Sequence, residues 1–267
     1  AHYRFPTRSY DDFPLVEEMD RVNVCKLRCS DFIETTRLVS YAAAAEKNNP
    51  VFNGIYFEIK GSVFAMAATN THRLATKDMS LTMPATSEGR MIVPSGILSD
   101  VCKLLPVEED AEVEVSWAKS HAAFTFGNTY FITNLISGQY PDYHRVIPSR
   151  FDVEAVFNLK ELSDAIRMVS PISRDVSYNT VNFNFDDNQV EIYAEDSDIG
   201  GSKVSIPAKL SGLLPLSIIF NCSYIEDILK HSTGDTITLH LMNRGPMLVE
   251  QEEDKNYKYV VTPMRGK

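Results

Sequence analysis

The sequence predicts an α+β fold with mostly antiparallel sheets, built from two copies of one repeating unit. The main observation is an interval: Tyr3, Tyr130 and Tyr257 each begin a strand-like segment, and each stands 127 residues from the next. Within that interval, helical and strand patterns recur in the same order. We predict tandem repeats at 23–148 and 149–267, each with two helices packed on antiparallel sheets.

Each copy begins with a short strand followed by an amphipathic helix. Residues 37–40 are echoed by residues 167–170, and apolar residues recur at a spacing of three to four, which is typical of one buried helical stripe. We expect that stripe to contain Phe32, Leu38 and Val39 in the first copy and Leu162, Met168 and Val169 in the second.

Strands that are predicted to have one buried and one solvent-exposed face follow the first helix. Apolar residues alternate with polar ones at Ile55, Phe57 and Ile59, and again at Val181, Phe183 and Phe185. A second helix lies midway through each copy. In copy two, Ser223 and Glu226 have the spacing of a capping box, which predicts a helix start at Ser223. Gly127 and Asn128 predict a turn before the last strand of copy one.

The first 22 residues resemble the end of a further copy. Tyr3 begins the same segment as Tyr130 and Tyr257, so we expect a strand at residues 3–9. A strand with nothing before it to pair with predicts a missing preceding domain, with residues 1–22 as its terminal strand and linker.

Composition excludes several classes of protein. The formal net charge of −10 argues against a protein that binds nucleic acid over its whole surface, although a local basic face stays open. No apolar run reaches the length of a membrane span, and no signal-peptide pattern is present, so we expect no membrane partner. Four irregularly spaced cysteines are typical of the reducing cytoplasm.

Motifs for catalysis are missing from the sequence. It contains no phosphate-binding loop, nucleophile elbow, His-Glu-x-x-His segment or Cys-x-x-Cys pair. Cys25 and Cys29 are more typical of packing than of a zinc half-site. The acidic run from Glu195 to Asp198 is compatible with a divalent cation but more typical of a solvated turn. We predict a non-catalytic protein with no cofactor and no metal.

Three segments combine apolar, aromatic and basic residues: 69–74, 140–148 and 260–265. Each segment taken alone is more typical of packing. Together their proline, aromatic and methionine content would also suit a groove for an extended apolar peptide. Composition leaves both interpretations open.

The same segments carry a resemblance to a known family. Residues 68–75, 52–54, 140–146, 221–224 and 259–265 are similar to five motifs of the bacterial sliding clamp, the β subunit of DNA polymerase III. The resemblance implies the DNA-clamp fold and a fragment that contains the middle and C-terminal domains of three.

The resemblance also implies a function. Clamp subunits of three domains pair head to tail into a homodimeric ring that encircles duplex DNA, without base readout, and acts as a processivity factor. The DNA polymerase III catalytic subunit, the clamp loader and repair polymerases dock through short peptides rich in glutamine, leucine and phenylalanine. A fragment without the first domain is expected to be monomeric.

Carried over by position, the family's peptide groove has Arg73 and Arg145 as its polar frame and Met247 as a possible flexible wall. Thr71, Thr262 and Gly266 depart from the common family residues. The full expected groove comprises Phe52, Thr69, His72, Arg73, Leu74, Pro141, Arg145, Val146, Asn221, Tyr224, Val260, Val261, Pro263, Met264 and Arg265.

In the family, helices line the bore around DNA. The resemblance therefore implies DNA-facing positions at Arg37, Lys103, Lys160, Arg167 and Lys230, with Lys47 in a nearby loop. Two alternatives remain. One is a peptide-binding adaptor of the same architecture with no DNA role. The other is an enzyme that uses the acidic run near Glu195–Asp198.

Overall fold

The computed structural model describes residues 1–12, 18–45, 49–175, 179–186, 189–196 and 200–264. The first half contains three short 3-10 helices, Tyr10–Asp12, Pro50–Asn53 and Tyr143–Val146. Its other elements are β1 (Val24–Arg28), α1 (Cys29–Ser40), β2 (Gly54–Lys60), β3 (Val63–Thr69), β4 (Arg73–Ser80), β5 (Gly89–Pro94), α2 (Ser95–Leu104), β6 (Glu112–Trp117), β7 (His121–Phe126) and β8 (Thr129–Asn134).

The second half repeats this order with one added strand, β13. Its elements are β9 (Val153–Asn158), α3 (Leu159–Asp175), β10 (Thr180–Asp186), β11 (Gln189–Asp196), β12 (Gly200–Pro207), β13 (Lys209–Gly212), β14 (Leu216–Asn221), α4 (Cys222–His231), β15 (Thr236–Leu241), β16 (Met247–Gln251) and β17 (Tyr257–Val261). The predicted α+β class with antiparallel sheets and two helices per copy is confirmed.

The strands of the described residues form three sheets, and the largest crosses from one half to the other. Its order is β13-β9-β15-β16-β17-β4-β3-β2-β5. The crossing point is the antiparallel pairing of β17 with β4, in which Tyr257 lies opposite Lys77 and Val261 lies opposite Arg73. Two four-stranded sheets, β1-β6-β7-β8 and β12-β11-β10-β14, complete the halves.

Alternating apolar residues fill the core as predicted. Ile55, Phe57 and Ile59 are buried in the first half, and Val181, Phe183 and Phe185 are buried in the second. The helical stripe is confirmed at five of its six expected positions and wrong at Met168, whose side chain is 60% exposed. The buried residues of α3 include Leu162, Ala165, Ile166 and Val169. At 3.6 residues per turn, that spacing turns Met168 toward solvent.

Two predictions about elements are wrong: the strand at residues 3–9 and the start of the second helix of copy two. Residues 1–9 form no helix or strand, because a strand needs a partner for its backbone hydrogen bonds and the described residues offer none there. The second helix of copy two begins at Cys222, and its N-cap is Asn221, whose side chain accepts from the Ser223 amide at 3.0 Å. The turn at Gly127, with φ +52°, is where the sequence places it.

Candidate functional site

A cavity lies at the junction of the two halves, beside the β17–β4 pairing. The register places Val260 opposite Leu74, so residues from both halves meet at one point of the sheet. The cavity, called here the junction cavity, has a volume of about 540 Å³. It is lined by Phe52, Thr69, Thr71, His72, Arg73, Leu74, Pro141, Asp142, Tyr143, Arg145, Val146, Pro148, Met242, Pro246, Val260 and Thr262.

The floor of the junction cavity is apolar and firmly packed. Leu74, Val260 and Tyr143 are buried in a cluster that also contains Ala67 and Leu248, and the linker residues Ile147 and Phe151 pack against it. At the rim, Val146 leaves 52% of its surface exposed. An apolar cavity with an exposed apolar rim favours a ligand that presents apolar side chains.

Nine of the fifteen residues expected in the groove line this cavity. They are Phe52, Thr69, His72, Arg73, Leu74, Pro141, Arg145, Val146 and Val260. Val261 lies one residue along β17, with a side chain that is fully buried in the core. Arg265 and Lys47 lie outside the described residues.

Arg73, which was expected to frame the groove and offer polar contacts, lines the junction cavity and also pairs with a residue of the second half. Its guanidinium donates to the Asp227 carboxylate and, through Nη2, to the Tyr41 carbonyl oxygen at 2.6 Å. The side chain is only 9% exposed, and the guanidinium carbon lies 4.6 Å from the ring centre of Tyr224. Arg73 therefore contacts the cavity while its charged end is held between the two halves.

Tyr224 and Asn221 do not line the junction cavity. They act indirectly, through contacts with residues next to it. The Tyr224 ring stacks at 6.5 Å on that of His72, and its hydroxyl accepts from the Asn70 amide at 3.2 Å. Asn221 caps α4, the helix that carries Tyr224 and Asp227. Both residues therefore fix the positions of groove residues in β4 and in the turn before it.

Pro263 and Met264 line a different cavity of about 560 Å³, beside Ile218 and Ile219 of β14. The chain is held there because the Met264 amide donates to the Ile219 carbonyl at 2.8 Å. Pro263 and Met264 are therefore not among the residues that line the junction cavity.

Several cavity residues were not expected from sequence. Met247 is 1% exposed and belongs to the core, so its role as a flexible wall is wrong; Met242 lines the cavity in its place, with Pro246. Met247, Leu248 and Val249 are consecutive apolar residues and are all buried, so alternation in β16 does not distinguish Met247 as a wall residue. Tyr143 also lines the cavity. Its aromatic side chain and its position within residues 140–146, which carry the family resemblance, could have identified it from sequence.

Thr71 and Thr262, noted as departures from the family pattern, both line the junction cavity. Thr71 has φ +76°, a left-handed conformation that a β-branched residue rarely adopts. The Thr262 hydroxyl donates to the His72 carbonyl at 3.0 Å, which ties the end of β17 to the turn before β4.

The five helical basic residues expected to face DNA, which are Arg37, Lys103, Lys160, Arg167 and Lys230, are all exposed. Lys103, Arg167 and Lys230 are each close to an aspartate three residues earlier in the chain, with separations of 2.9, 3.2 and 3.9 Å. Arg37 and Lys160 form no ion pair within the part of the chain that the structure describes. Exposed pairs of this kind are weak, so all five cations stay accessible to an external anion.

Among the described residues, no three histidine, cysteine or carboxylate side chains come together as metal ligands. Residues 197–199 of the acidic run lie outside the described ranges. No helix within those ranges has the length and hydropathy needed to cross a membrane.

The fold and sequence match known proteins along nearly the whole chain. Residues 26–142 match the model of the DNA polymerase III beta subunit central domain, and residues 144–265 match its C-terminal domain. The beta sliding clamp of Staphylococcus epidermidis is 24% identical over 256 residues, which cover 96% of this chain and 67% of the relative.

Solved structures agree with these matches. A Bacillus subtilis DNA polymerase sliding clamp has a TM-score of 0.90 at 23% identity, covering 96% of this chain and 68% of that one. A Pseudomonas aeruginosa sliding clamp, solved bound to griselimycin, has a TM-score of 0.88 at 26% identity, covering 96% and 69%. This chain belongs to the DNA polymerase III beta subunit family, the bacterial sliding clamps.

Proposed function

We propose that residues 23–148 and 149–267 are the middle and C-terminal domains of a replication processivity factor. In this proposal the complete subunit forms a homodimeric ring around duplex DNA. The ring tethers the DNA polymerase III catalytic subunit, the clamp loader and repair polymerases through peptides that occupy the junction cavity. The protein acts by binding and linkage, without catalysis of its own.

The observation that carries the proposal is the apolar junction cavity itself. Leu74 and Val260 come from different domains, and β17–β4 pairing holds them side by side. Val146 and Pro141 extend the apolar surface to the rim. A leucine or phenylalanine side chain that enters this cavity would contribute a favourable free energy of about 25 cal/mol for each Å² of apolar surface removed from water.

Titration calorimetry with a short glutamine-, leucine- and phenylalanine-containing peptide tests this function. Val146→Asp places a charge at the apolar rim, and we expect it to weaken peptide binding at least tenfold (~1.4 kcal/mol). Val107→Asp is the matched control, since Val107 is 87% exposed and does not line the junction cavity. Absence of peptide binding by the unaltered chain would refute the proposal. Griselimycin, bound by the Pseudomonas aeruginosa relative, offers a second probe.

The helices support the DNA part of the proposal. Their exposed cations can attract phosphates without reading bases, which suits a ring that must slide. We expect weak, salt-sensitive binding of duplex DNA, measured by fluorescence anisotropy at low salt. Replacing Arg37 and Lys160 together by glutamine should reduce the salt dependence, whereas Lys209→Gln on β13 should not. Equal salt slopes for all three proteins would favour the adaptor alternative.

Assembly provides a separate test. If ring closure requires a domain preceding residue 23, sedimentation should show the 267-residue chain as a monomer. A stable closed dimer of this chain would contradict that part of the proposal.

A further inference from the structure

One residue of the junction cavity has an unusual backbone conformation. Thr71 is exposed and lines the cavity from the turn that joins β3 to β4, and its φ is +76°. None of the other residues that line the cavity has a positive φ. A left-handed backbone suits glycine, and it strains a β-branched residue because the side chain crowds its own backbone. Strained residues of this kind cluster at ligand-binding sites, which makes the Thr71 side chain a candidate part of the site.

Hydrogen bonds inside the turn hold this conformation. The Thr71 amide donates to the Thr69 hydroxyl at 3.1 Å, and that hydroxyl donates to the Arg73 carbonyl at 2.6 Å. The side-chain oxygen of Asn70 accepts from the amides of His72 and Arg73 at 3.1 and 3.0 Å. The backbone at Thr71 is therefore fixed from both sides of the turn.

The C-terminal domain holds the same turn from outside. The side-chain amide of Asn70 donates to the Tyr224 hydroxyl at 3.2 Å. The amide and the hydroxyl of Thr262 both donate to the His72 carbonyl, at 2.9 and 3.0 Å. A movement of the turn that relieved the strain at Thr71 would therefore disturb contacts between the two domains.

A fixed backbone makes the Thr71 side chain a rigid part of the cavity wall. The turn sets the direction of its Cβ, and a β-branched side chain has few allowed positions about its single rotatable bond. Met242, which also lines the cavity, is unbranched and can adapt its shape to a ligand. Of these two wall residues, Thr71 is the one that can exclude a ligand side chain that is too large.

We propose that Thr71 determines the size of the apolar side chain that the junction cavity accepts. At the ligand position that lies against Thr71, an aliphatic side chain such as leucine binds better than an aromatic one. The inference rests on the proposed peptide-binding function and adds a size preference to it. A glycine at position 71 would relieve the backbone strain, but it would remove Cβ, Oγ1 and Cγ2 from the wall and widen the cavity.

The shape of Thr71, and not its hydroxyl, carries this preference. Leu74 and Val260 form an apolar floor, which selects an apolar side chain but does not distinguish leucine from phenylalanine. An exposed hydroxyl already bonds to water, so exchanging that water for a ligand group would contribute little to affinity. The remaining difference is the space that the wall leaves, and one carbon atom too many in a rigid pocket weakens binding about tenfold or more.

The test is the titration of the full 267-residue chain with four fluorescent peptides. Each contains glutamine, and its two apolar positions carry leucine or phenylalanine in the four possible combinations. We expect one of the two positions to favour leucine by about tenfold. Thr71→Gly should reduce that preference to less than about threefold and leave the ratio at the other position unchanged.

Three further variants assign the preference to the shape of the side chain. Thr71→Val keeps the branched shape without the hydroxyl and should keep the preference for leucine. Thr71→Ser keeps the hydroxyl without the methyl group and should weaken the preference. Thr82→Gly makes the glycine substitution at a threonine that does not line the junction cavity, and it should keep the preference.

The absence of a preference at both positions of the unaltered chain would overturn this inference and leave the peptide groove intact. It would also be overturned if Thr71→Gly weakened or strengthened all four peptides by the same factor, as a purely structural effect would, or if Thr71→Val lost the preference. Silence of all four peptides would refute the proposed function and this inference together.

Discussion

The guanidinium of Arg73 donates a hydrogen bond to the carboxylate of Asp227 and thereby joins β4 of the middle domain to α4 of the C-terminal domain. The same guanidinium donates to the carbonyl of Tyr41, whose ring stacks on that of His231 at 4.1 Å. A residue that lines the junction cavity therefore also holds the ends of α1 and α4 together. The cavity and the domain interface share one cation.

Removing the acid of this pair should destabilise the protein. Asp227→Asn leaves a nearly buried guanidinium without its counterion, which costs about 3–5 kcal/mol in fully buried pairs. Asp227 is partly open to water, so we expect a loss of about 2 kcal/mol in the free energy of unfolding. Urea titration measures it. The control is Asp164→Asn, which breaks the exposed pair with Arg167 and should cost less than about 0.5 kcal/mol. Equal losses would contradict the assigned role of Arg73.

The protein should be less stable with threonine at position 71 than with glycine there. The φ of +76° at Thr71 strains a β-branched residue by about 1–3 kcal/mol, while the greater freedom of glycine in the unfolded chain costs about 0.5–1 kcal/mol. We expect Thr71→Gly to raise the free energy of unfolding by about 1 kcal/mol. Thr82→Gly, in a loop with φ outside the left-handed region, should lower it. A destabilised Thr71→Gly would show that the strain is absent.

Asp78 gives stability a distinctive pH dependence. Loss of water around this carboxyl raises its pKa from 3.8, and Glu58 raises it further, against opposing effects of His144 and Lys258. Because the folded pKa lies above the unfolded one, the ionised carboxyl destabilises the fold at neutral pH, and this cost disappears as pH falls through the folded pKa toward 3.8. Asp78→Asn should therefore be more stable than the unaltered chain at pH 7 and equal to it near pH 3.5. Urea midpoints of both proteins at both pH values measure this difference. If the charge of Asp78 stabilised the fold, Asp78→Asn would instead be less stable than the unaltered chain at pH 7.

The four cysteines should react slowly in the folded protein. Cys25, Cys29 and Cys222 are buried, and Cys102 is partly exposed. Burial raises the pKa of the Cys25 thiol to about 12 and that of Cys222 to about 11, so thiolate is scarce at pH 8. We expect iodoacetamide to modify Cys102 first and the other three only after denaturation. Mass spectrometry of timed samples would detect early modification of Cys25 or Cys222, which would be inconsistent with this packing.

Much of the fold could be read from sequence because apolar periodicity reports burial directly. Phe57 and Phe183 lie in the core for that reason, and the 127-residue interval predicts that the copies share one order of elements. The errors have local causes. Met168 is apolar and near the helical stripe, but the turn of α3 carries it to the surface. Asn221 and Ser223 are both good caps, and only the backbone decides between them.

The candidate site was predictable in place but not in detail. The segments around Leu74, Pro141 and Val260 do converge on one cavity, since sheet pairing brings them together. Side-chain direction could not be inferred from spacing. Arg73 turns to Asp227 because a buried guanidinium needs a counterion, and Met264 follows the backbone toward β14. Met242 enters the wall from the loop between β15 and β16, a segment without a matching motif.

The pairing of β17 with β4 determines how the two domains unfold. One ladder of hydrogen bonds runs through nine strands, so melting either domain would strip the other of a strand neighbour and uncover the cluster around Leu74 and Val260. Unfolding of the two domains is therefore expected to be cooperative, because unfolding either one exposes apolar surface of both at their shared strand pairing. A chain that looks in sequence like two independent repeats should therefore denature as one calorimetric unit, with no temperature at which one repeat survives alone.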